Sequence, residues 1–257
     1  MKLFKFVEAE RIDVLEKERI ACTPPDRFKD PFEVLARFTP AVARKIWDDT
    51  FEDFKRSALS SELSPRQRKK KARRLKEEAK VGIGFDEVKK RLEETATAKI
   101  RHNLGIICFG AEIKNNLLWY HYADGHRGLV IEFDSDHPEF AKLGNLQKVR
   151  YDCPPPVYGL HAPPTMDLLT VKPPYLAYEV EYRILCQLTT CKKESPRGGL
   201  ELYFRDIPKT CIKAVHLGHR LSAPDFQRLS NAVAGTQIEC FRVSPSGRDY
   251  ELKWEKM

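Results

Sequence analysis

The stretch "GIICFGAEIKNNLLWYHYADGHRGLVIEF", residues 105–133, holds two apolar segments separated by a segment with helical spacing. Residues 105–110 and 128–133 are short, rich in apolar residues and bounded by glycine, which predicts two strands. Between them the apolar residues recur at helical intervals, which predicts a short helix that ends at Gly125. The other elements of the chain are placed relative to this predicted strand–helix–strand unit.

Apolar or alternating segments elsewhere predict further strands and helices. The strands are residues 3–9, 148–151, 181–189, 212–218 and 237–243, with "YELKW" closing a hairpin after the turn "SPSGRD". Ile12, Leu15 and Ile20 have helical spacing, and another helix begins at a capping Ser222 and stops at Gly235.

Strands and helices mix without strict alternation, so we expect an α+β fold with mixed, largely antiparallel sheets. Residues 1–257 are expected to form a single α+β domain. Its strands near 3–8, 105–110, 128–133 and 181–188 should share one sheet system.

Residues 33–103 are highly charged and helical in pattern, which predicts a mainly helical insertion. Within it, residues 66–80 contain nine Lys and Arg against two Glu, a net +7 of the chain's +8. This basic run is either a solvated helix face or a patch that contacts nucleic-acid phosphates. The candidate patch residues are Arg66, Lys69, Lys70, Lys71, Arg73 and Arg74.

Composition narrows the class of protein. No apolar run approaches the roughly 20 residues of a membrane span, and the charged first residues predict no signal peptide. The seven cysteines are scattered with no CxxC pair, which favours reduced thiols in a cytoplasmic protein over disulfides or zinc. We therefore expect no membrane association and no metal.

The helix predicted within 105–133 carries several side chains that can take part in binding or catalysis. They are Trp119, His121 and Tyr122, with His126 just beyond the helix. These residues either fill a core or line a pocket. Residues 152–176, with seven prolines, are either a lid or binding loop or a plain surface wrap.

Glu179, Glu181 and Arg183 recur at every second position, so they share one face of a predicted strand. Two carboxylates and a guanidinium on one face predict either a solvent-facing ion pair or a group that lines a pocket.

Several motifs resemble those of the domain-of-unknown-function 2971 family of bacterial proteins. The matching residues are Lys5-Phe6, Asp30-Pro31-Phe32, Cys108-Phe109, Trp119, His121-Tyr122-Ala123, His126, Gly128 and Glu179-x-Glu181-Tyr182-Arg183. Lys29, Gly110 and Phe6 replace the Asn, Ser and Tyr that are usual there. The resemblance covers most of the chain, but the family name implies no chemistry.

More distantly, "GIICFG…WYHYADGHRGLVIEF" and "EYRIL" resemble the second and third motifs of ADP-ribosyltransferases. This resemblance implies an ADP-ribosyltransferase-like fold with NAD as possible substrate. It implies Lys5 at the first-strand position, Tyr122 stacking on nicotinamide and Glu181 as the catalytic carboxylate. Lys5 departs from the His or Arg that is usual in the first strand.

The resemblance to ADP-ribosyltransferases implies a protein that binds NAD in a His/Tyr/Glu-lined cleft and transfers ADP-ribose or hydrolyses NAD. We expect Glu181, Tyr122 and His121 to be catalytic. The expected ligand-binding residues are Lys5, Asp30, Trp119, His126, Glu179 and Arg183. One alternative is a non-catalytic nucleic-acid-binding or effector module that uses the basic run. The other is a nuclease or phosphodiesterase that uses Asp30, His121, His126 and Glu181.

Overall fold

The computed structural model describes residues 1–58, 64–70, 73, 85–158, 166–195 and 199–257. Within these residues, eight strands form one sheet and three form another. In spatial order the larger sheet contains β11 (Leu252–Lys256), β10 (Glu239–Pro245), β9 (Ile212–Gly218), β4 (Leu129–Asp134), β1 (Lys2–Val7), β3 (Leu104–Gly110), β6 (Glu181–Gln187) and β5 (Leu146–Lys148). The smaller sheet contains β2 (Arg19–Ala21), β8 (Leu202–Asp206) and β7 (Lys192–Glu194).

Helices lie between the strands along most of the chain. In the described residues they are α1 (Asp13–Glu16), α2 (Pro40–Ala58), α3 (Phe85–Asn103), α4 (Asn116–Tyr122), α5 (Pro138–Ala141), α6 (Asp167–Thr170) and α7 (Ala223–Val233). Residues 65–70 are also helical. Most described residues of 33–103 are therefore helical, after an irregular stretch at 33–39.

The strand pairings are antiparallel except between β9 and β10. That pair is parallel because α7 carries the chain from the end of one strand back to the start of the next. The four strands predicted to share a sheet all lie in the larger one. The predicted α+β class with largely antiparallel pairing is confirmed.

Ile20 was expected to continue the helical pattern of Ile12 and Leu15, and this prediction is wrong. The helical turns end at Glu16, and Glu18 takes a φ of 49° that reverses the chain. Ile20 then lies on β2 and is fully buried in the same core as Leu15. The position of Ile20 fits the helical spacing of buried residues, but Ile20 reaches the core from a strand.

Alternation along the central strand β4 explains why both faces of the larger sheet are covered. Leu129, Ile131 and Phe133 pack into the core that α1 and α7 complete. Val130 points to the opposite face and packs with Trp119 of α4. The helix predicted inside 105–133 therefore covers the face opposite to α7.

Two glycines that end strands test this close packing. A Cβ at Gly218, the last residue of β9, would lie 2.2 Å from the carbonyl oxygen of His126. A Cβ at Gly110, the last residue of β3, would have its nearest neighbours at 3.5 Å. We expect Gly218→Ala to lower the free energy of unfolding by about 2 kcal/mol or more, because backbone atoms must move. Gly110→Ala should change it by less than about 1 kcal/mol, because Ala fits an ordinary contact there.

Urea unfolding followed by circular dichroism measures both free energies. Equal values for the two variants would contradict the close approach of His126 to β9.

Candidate functional site

Five charged side chains from separate segments meet on one face of the larger sheet. They are Glu33, Lys172, Glu179, Glu181 and Arg183, and each is at most 6% exposed. Glu181 and Arg183 are two residues apart on β6, so both side chains project to this face. We call these five residues the charge cluster.

The backbone just before β6 brings the carboxylates of Glu179 and Glu181 close together. Glu179 ends the 3-10 helix Pro174–Glu179, and Val180 follows with a left-handed φ of 42°. A β-branched residue rarely takes this conformation, which costs on the order of 1–3 kcal/mol. The packing and ion pairs around Val180 must supply that energy.

Lys172 joins the three carboxylates. Its Nζ lies 2.9 Å from Glu33 Oε1, 2.5 Å from Glu179 Oε2 and 3.0 Å from Glu181 Oε2. Because an ammonium group has three N–H donors, each donor has a carboxylate partner.

Arg183 completes the charge cluster from β6. It donates to the two oxygens of Glu181 at 2.8 and 3.1 Å and to Glu33 Oε2 at 2.6 Å. Its remaining terminal nitrogen donates to the carbonyl oxygen of Leu169 at 2.8 Å. This arrangement uses the fork geometry of a guanidinium and fixes Glu181 in place.

Three carboxylates and two cations leave the charge cluster with one excess negative charge when every carboxylate is ionised. Burial alone would raise the pKa of Glu181. The charges of Arg183 and Lys172 outweigh this effect and hold the pKa of Glu181 at about 2. Burial raises the pKa of Glu179, and Lys172 only partly offsets this effect. The excess charge, or the proton that neutralises it, therefore belongs to Glu179.

Two tyrosines border these carboxylates. The Tyr122 hydroxyl donates to Glu179 Oε1 at 2.6 Å, while its residue is 42% exposed. The Tyr151 oxygen accepts from the backbone N–H of Glu181 at 3.0 Å. Burial raises the pKa of both phenols, so both remain protonated near neutral pH. Tyr122 thus connects Glu179 to the surface of the protein.

A cavity of about 260 Å³ adjoins the charge cluster at Lys172. Its walls include two exposed aromatic side chains, Phe32 and Tyr175, and the side chain of Arg37. Within the described residues, Arg37 has no ion-pair partner. The full lining is Phe32, Val34, Leu35, Arg37, Cys153, Pro155, Pro156, Leu168, Val171, Lys172, Pro173, Pro174 and Tyr175.

Trp119 and His126 lie beside the charge cluster rather than in it. Trp119 is fully buried, donates from Nε1 to the carbonyl of Ile113 at 2.9 Å and stacks on His126. His126 bonds through Nε2 to Asn116 Oδ1 at 2.8 Å. Burial lowers the pKa of His126, so its ring is neutral near pH 7. These two residues hold α4 against the sheet.

His121 and Lys5 also lie apart from the five charged residues. His121 is exposed on α4, where its ring contacts Tyr120 and Tyr122 edge-on. Lys5 donates to the carbonyl of Cys108 at 3.0 Å and lies over the ring of Phe109. Phe109 belongs to the core on the opposite face of the sheet. Burial lowers the pKa of Lys5.

Asp30 contributes indirectly. Its Oδ1 accepts from the backbone N–H of Phe32 at 2.9 Å, and its carbonyl accepts from that of Glu33 at 3.4 Å. This Asx-type turn aims Glu33 at Lys172 and Arg183. Asp30 therefore shapes the loop that supplies a member of the charge cluster.

Of the residues expected in the site, Glu179, Glu181, Arg183 and Tyr122 come together. Glu33, Lys172 and Tyr151 join them, and Arg37 lines the adjoining cavity, although the sequence did not single these four out. Glu33 directly follows the Asp30-Pro31-Phe32 motif, which was an available signal. Lys172 lies in the proline-rich segment and gave no signal, because its partners are distant in the chain.

The basic run is only partly described. Arg66, Lys69, Lys70 and Arg73 are exposed, and residues 65–70 form a helix. Lys71 and Arg74 lie outside the described residues.

Comparison of the chain with protein-family models, curated proteins and solved structures finds no match. In the part of the chain that the structure describes, no group of three or more His, Cys, Asp or Glu is arranged to hold a metal ion. Among the same residues, no helix is both long and apolar enough to cross a membrane.

Replacing each of the two neighbouring carboxylates with Gln should have opposite effects on stability. The pKa of Glu181, about 2, lies below the ordinary value of about 4.3, so its ionised form stabilises the fold above pH 5. Glu181→Gln should lower the free energy of unfolding at pH 7 by about 3–5 kcal/mol, because Arg183 and Lys172 each lose a buried carboxylate partner. The deficit should shrink as the pH falls from 5 towards 2.

Glu179→Gln is the matched control. Because the folded pKa of Glu179 is raised, its ionised form costs stability at neutral pH. The variant should therefore be as stable as the parent at pH 7, or more stable. Urea unfolding at several pH values tests both expectations, and equal losses in the two variants would rule out this division of charge.

Proposed function

We propose that this protein binds NAD in the cavity beside the charge cluster and cleaves the bond between nicotinamide and ribose. The ADP-ribose then passes to water or to an acceptor. The observation that carries this proposal is Glu179, whose only cationic partner among the described residues is the shared Lys172, a residue of the cavity wall.

The cavity wall offers the groups that a dinucleotide needs. Arg37 suits a pyrophosphate, since a guanidinium binds phosphate oxygens with paired N–H donors. Phe32 and Tyr175 offer flat apolar faces on which a nicotinamide or adenine ring can stack. A volume of about 260 Å³ is just below the usual ~300–1,000 Å³ of small-molecule sites. The cavity would therefore hold the nicotinamide–ribose half, with the rest of NAD on the open surface.

Bond cleavage builds positive charge on the ribose as the C–N bond lengthens. A carboxylate beside the sugar stabilises that charge, as in glycoside cleavage. Glu179 shares Lys172 with two other carboxylates, so it gains a cation of its own only as the ribose becomes positive. Glu181 is already matched by Arg183 and Lys172, which makes it a positioning residue that holds Lys172 and Arg183 in place.

Glu179→Gln should bind NAD about as tightly as the parent but release nicotinamide much more slowly. The substitution keeps the shape and the Tyr122 contact while removing the charge that matters in the transition state. Calorimetric titration with NAD measures binding, and chromatography of released nicotinamide measures turnover. Glu194→Gln, on an exposed strand, should leave both quantities unchanged.

Arg37→Gln tests the binding half separately. It should weaken NAD binding about tenfold or more, since a hydrogen bond to a charged group contributes about 1.5–3 kcal/mol. At saturating NAD, its rate of nicotinamide release should match the parent's. Stabilisation by short oligonucleotides and not by NAD would favour nucleic-acid binding instead, with the exposed Arg66, Lys69 and Lys70 as contacts.

A further inference from the structure

A second cavity, of about 690 Å³, lies between α3 and the loop that leads into α2. We call it the helix cavity; its walls include Ala98 and Arg101 of α3 and residues 35–37 of the loop. Its volume lies within the usual ~300–1,000 Å³ of small-molecule sites. Lys90 and Glu94 also line it, and their side chains are 68% and 64% exposed, so the helix cavity opens to the surface.

The helix cavity adjoins the cavity beside the charge cluster. Leu35 and Arg37 line both cavities, so this loop forms the wall between them. A ligand with two halves can therefore place one half in each cavity and its middle at Arg37.

Contacts with α3 fix the backbone on each side of Arg37. The N–H of Ala36 donates to Thr97 Oγ1 at 3.0 Å, and the N–H of Phe38 donates to Glu93 Oε1 at 2.8 Å. The carbonyl of Arg37 also accepts a backbone hydrogen bond at 2.8 Å. Ala36 and Phe38 pack into one core cluster, whereas Arg37 between them faces the two cavities. The guanidinium is therefore presented from a preorganised backbone, which lowers the entropy cost of binding a ligand.

Arg101 supplies a second guanidinium to the helix cavity. Its Nη2 donates to the carbonyl oxygen of Glu33 at 2.6 Å, and its buried Nε has no acceptor among the described residues. The carboxylate of the same Glu33 binds Lys172 and Arg183, so Arg101 is tied to the charge cluster through one residue. Arg37 and Arg101 together offer the paired N–H donors that a pyrophosphate accepts.

The charges that line the helix cavity leave these two guanidiniums unmatched. Glu93 and Glu94 lie 3.8 and 4.0 Å from the ammonium groups of Lys89 and Lys90. Among the described residues, neither lining arginine forms an ion pair with a carboxylate. The cavity therefore favours an anion beside its arginines.

The rest of the lining suits a nucleoside. Leu35, Ala36 and Ala98 offer small apolar surfaces against which a flat base can pack. Asp26 also lines the cavity, and a carboxylate accepts hydrogen bonds from ribose hydroxyls or from an exocyclic amino group.

We propose that the helix cavity binds the adenosine half of NAD, with the pyrophosphate held by Arg37 and Arg101. This inference rests on the proposed function, because NAD is the ligand in both. The nicotinamide–ribose half lies in the first cavity, and the pyrophosphate crosses the wall at Arg37. The adenosine half does not react, so its binding contributes affinity and places the nicotinamide–ribose bond near Glu179.

The first test compares NAD with nicotinamide mononucleotide, which lacks the adenosine half. Calorimetric titration of the full chain measures both dissociation constants. NAD should bind about tenfold more tightly or better, because only NAD reaches Arg101 with a charged group. Equal affinities for the two ligands would overturn the placement.

Ala98→Phe fills part of the helix cavity from α3. NAD should then bind no more tightly than nicotinamide mononucleotide, whose own affinity should match that for the parent. Thr95→Phe is the matched control, since it puts the same ring on an exposed position of α3 outside the cavity lining. It should leave both affinities unchanged. Arg101→Gln should also weaken the binding of NAD alone, and thermal unfolding verifies that each variant is folded.

Nicotinamide release by the parent separates this inference from the proposed function. If the parent cleaves NAD and Ala98→Phe binds NAD as tightly as the parent does, the helix cavity does not hold adenosine, and the proposed function stands. If Ala98→Phe weakens NAD binding but the parent releases no nicotinamide, the adenosine site stands and cleavage is ruled out. If the parent does not bind NAD, both are wrong.

Discussion

A lysine ammonium shared by three buried carboxylates is the constraint on which this half of the molecule depends. An isolated buried ion costs several kcal/mol, so Lys172 is tolerable only where carboxylates surround it. Those partners come from the Asp30 turn, from the end of a 3-10 helix and from β6. The proline-rich segment, the turn and the sheet must therefore dock together.

The same arrangement ties stability to reactivity. Replacing buried ion pairs with apolar side chains often leaves stability unchanged or increases it. Stability alone therefore does not require three carboxylates around two cations. The unmatched charge on Glu179 lowers stability at neutral pH and gives the site an affinity for positive charge. Because Tyr122 bonds the same carboxylate and is partly exposed, that affinity extends towards the surface.

The sequence allowed the sheet to be predicted because its signals are local. The apolar runs at 105–110 and 128–133 and the alternation along 181–188 depend only on neighbouring residues, and these strands formed where expected. The prediction that Ile20 continues a helix was wrong because a single buried residue fits a helical or an extended spacing equally well. β7 and β8 were missed, because β7 consists of three charged residues and the apolar residues of β8 are consecutive rather than alternating.

The site was predictable only in part, for a related reason. The i, i+2 spacing of Glu179, Glu181 and Arg183 put two of them on one strand face and the third beside it. Glu33 lies 150 residues from Arg183, and no local pattern encodes such a contact. Trp119 and His126 carry motif positions, but their rings stack on each other and pack α4 against the sheet. Within one motif, some of the functional side chains thus form the site, and others support it by packing.

β6 separates the charge cluster from the main core. Glu181 and Arg183 project from one face of the strand, whereas Ile184 and Cys186 project from the other into the main core. Five residues of extended strand separate Glu181 from Cys186 by roughly 17 Å. At that distance, and through a packed sheet, a change at Cys186 leaves the Coulomb balance at Glu179 largely unaltered. The charge cluster and the main core can therefore be altered one at a time.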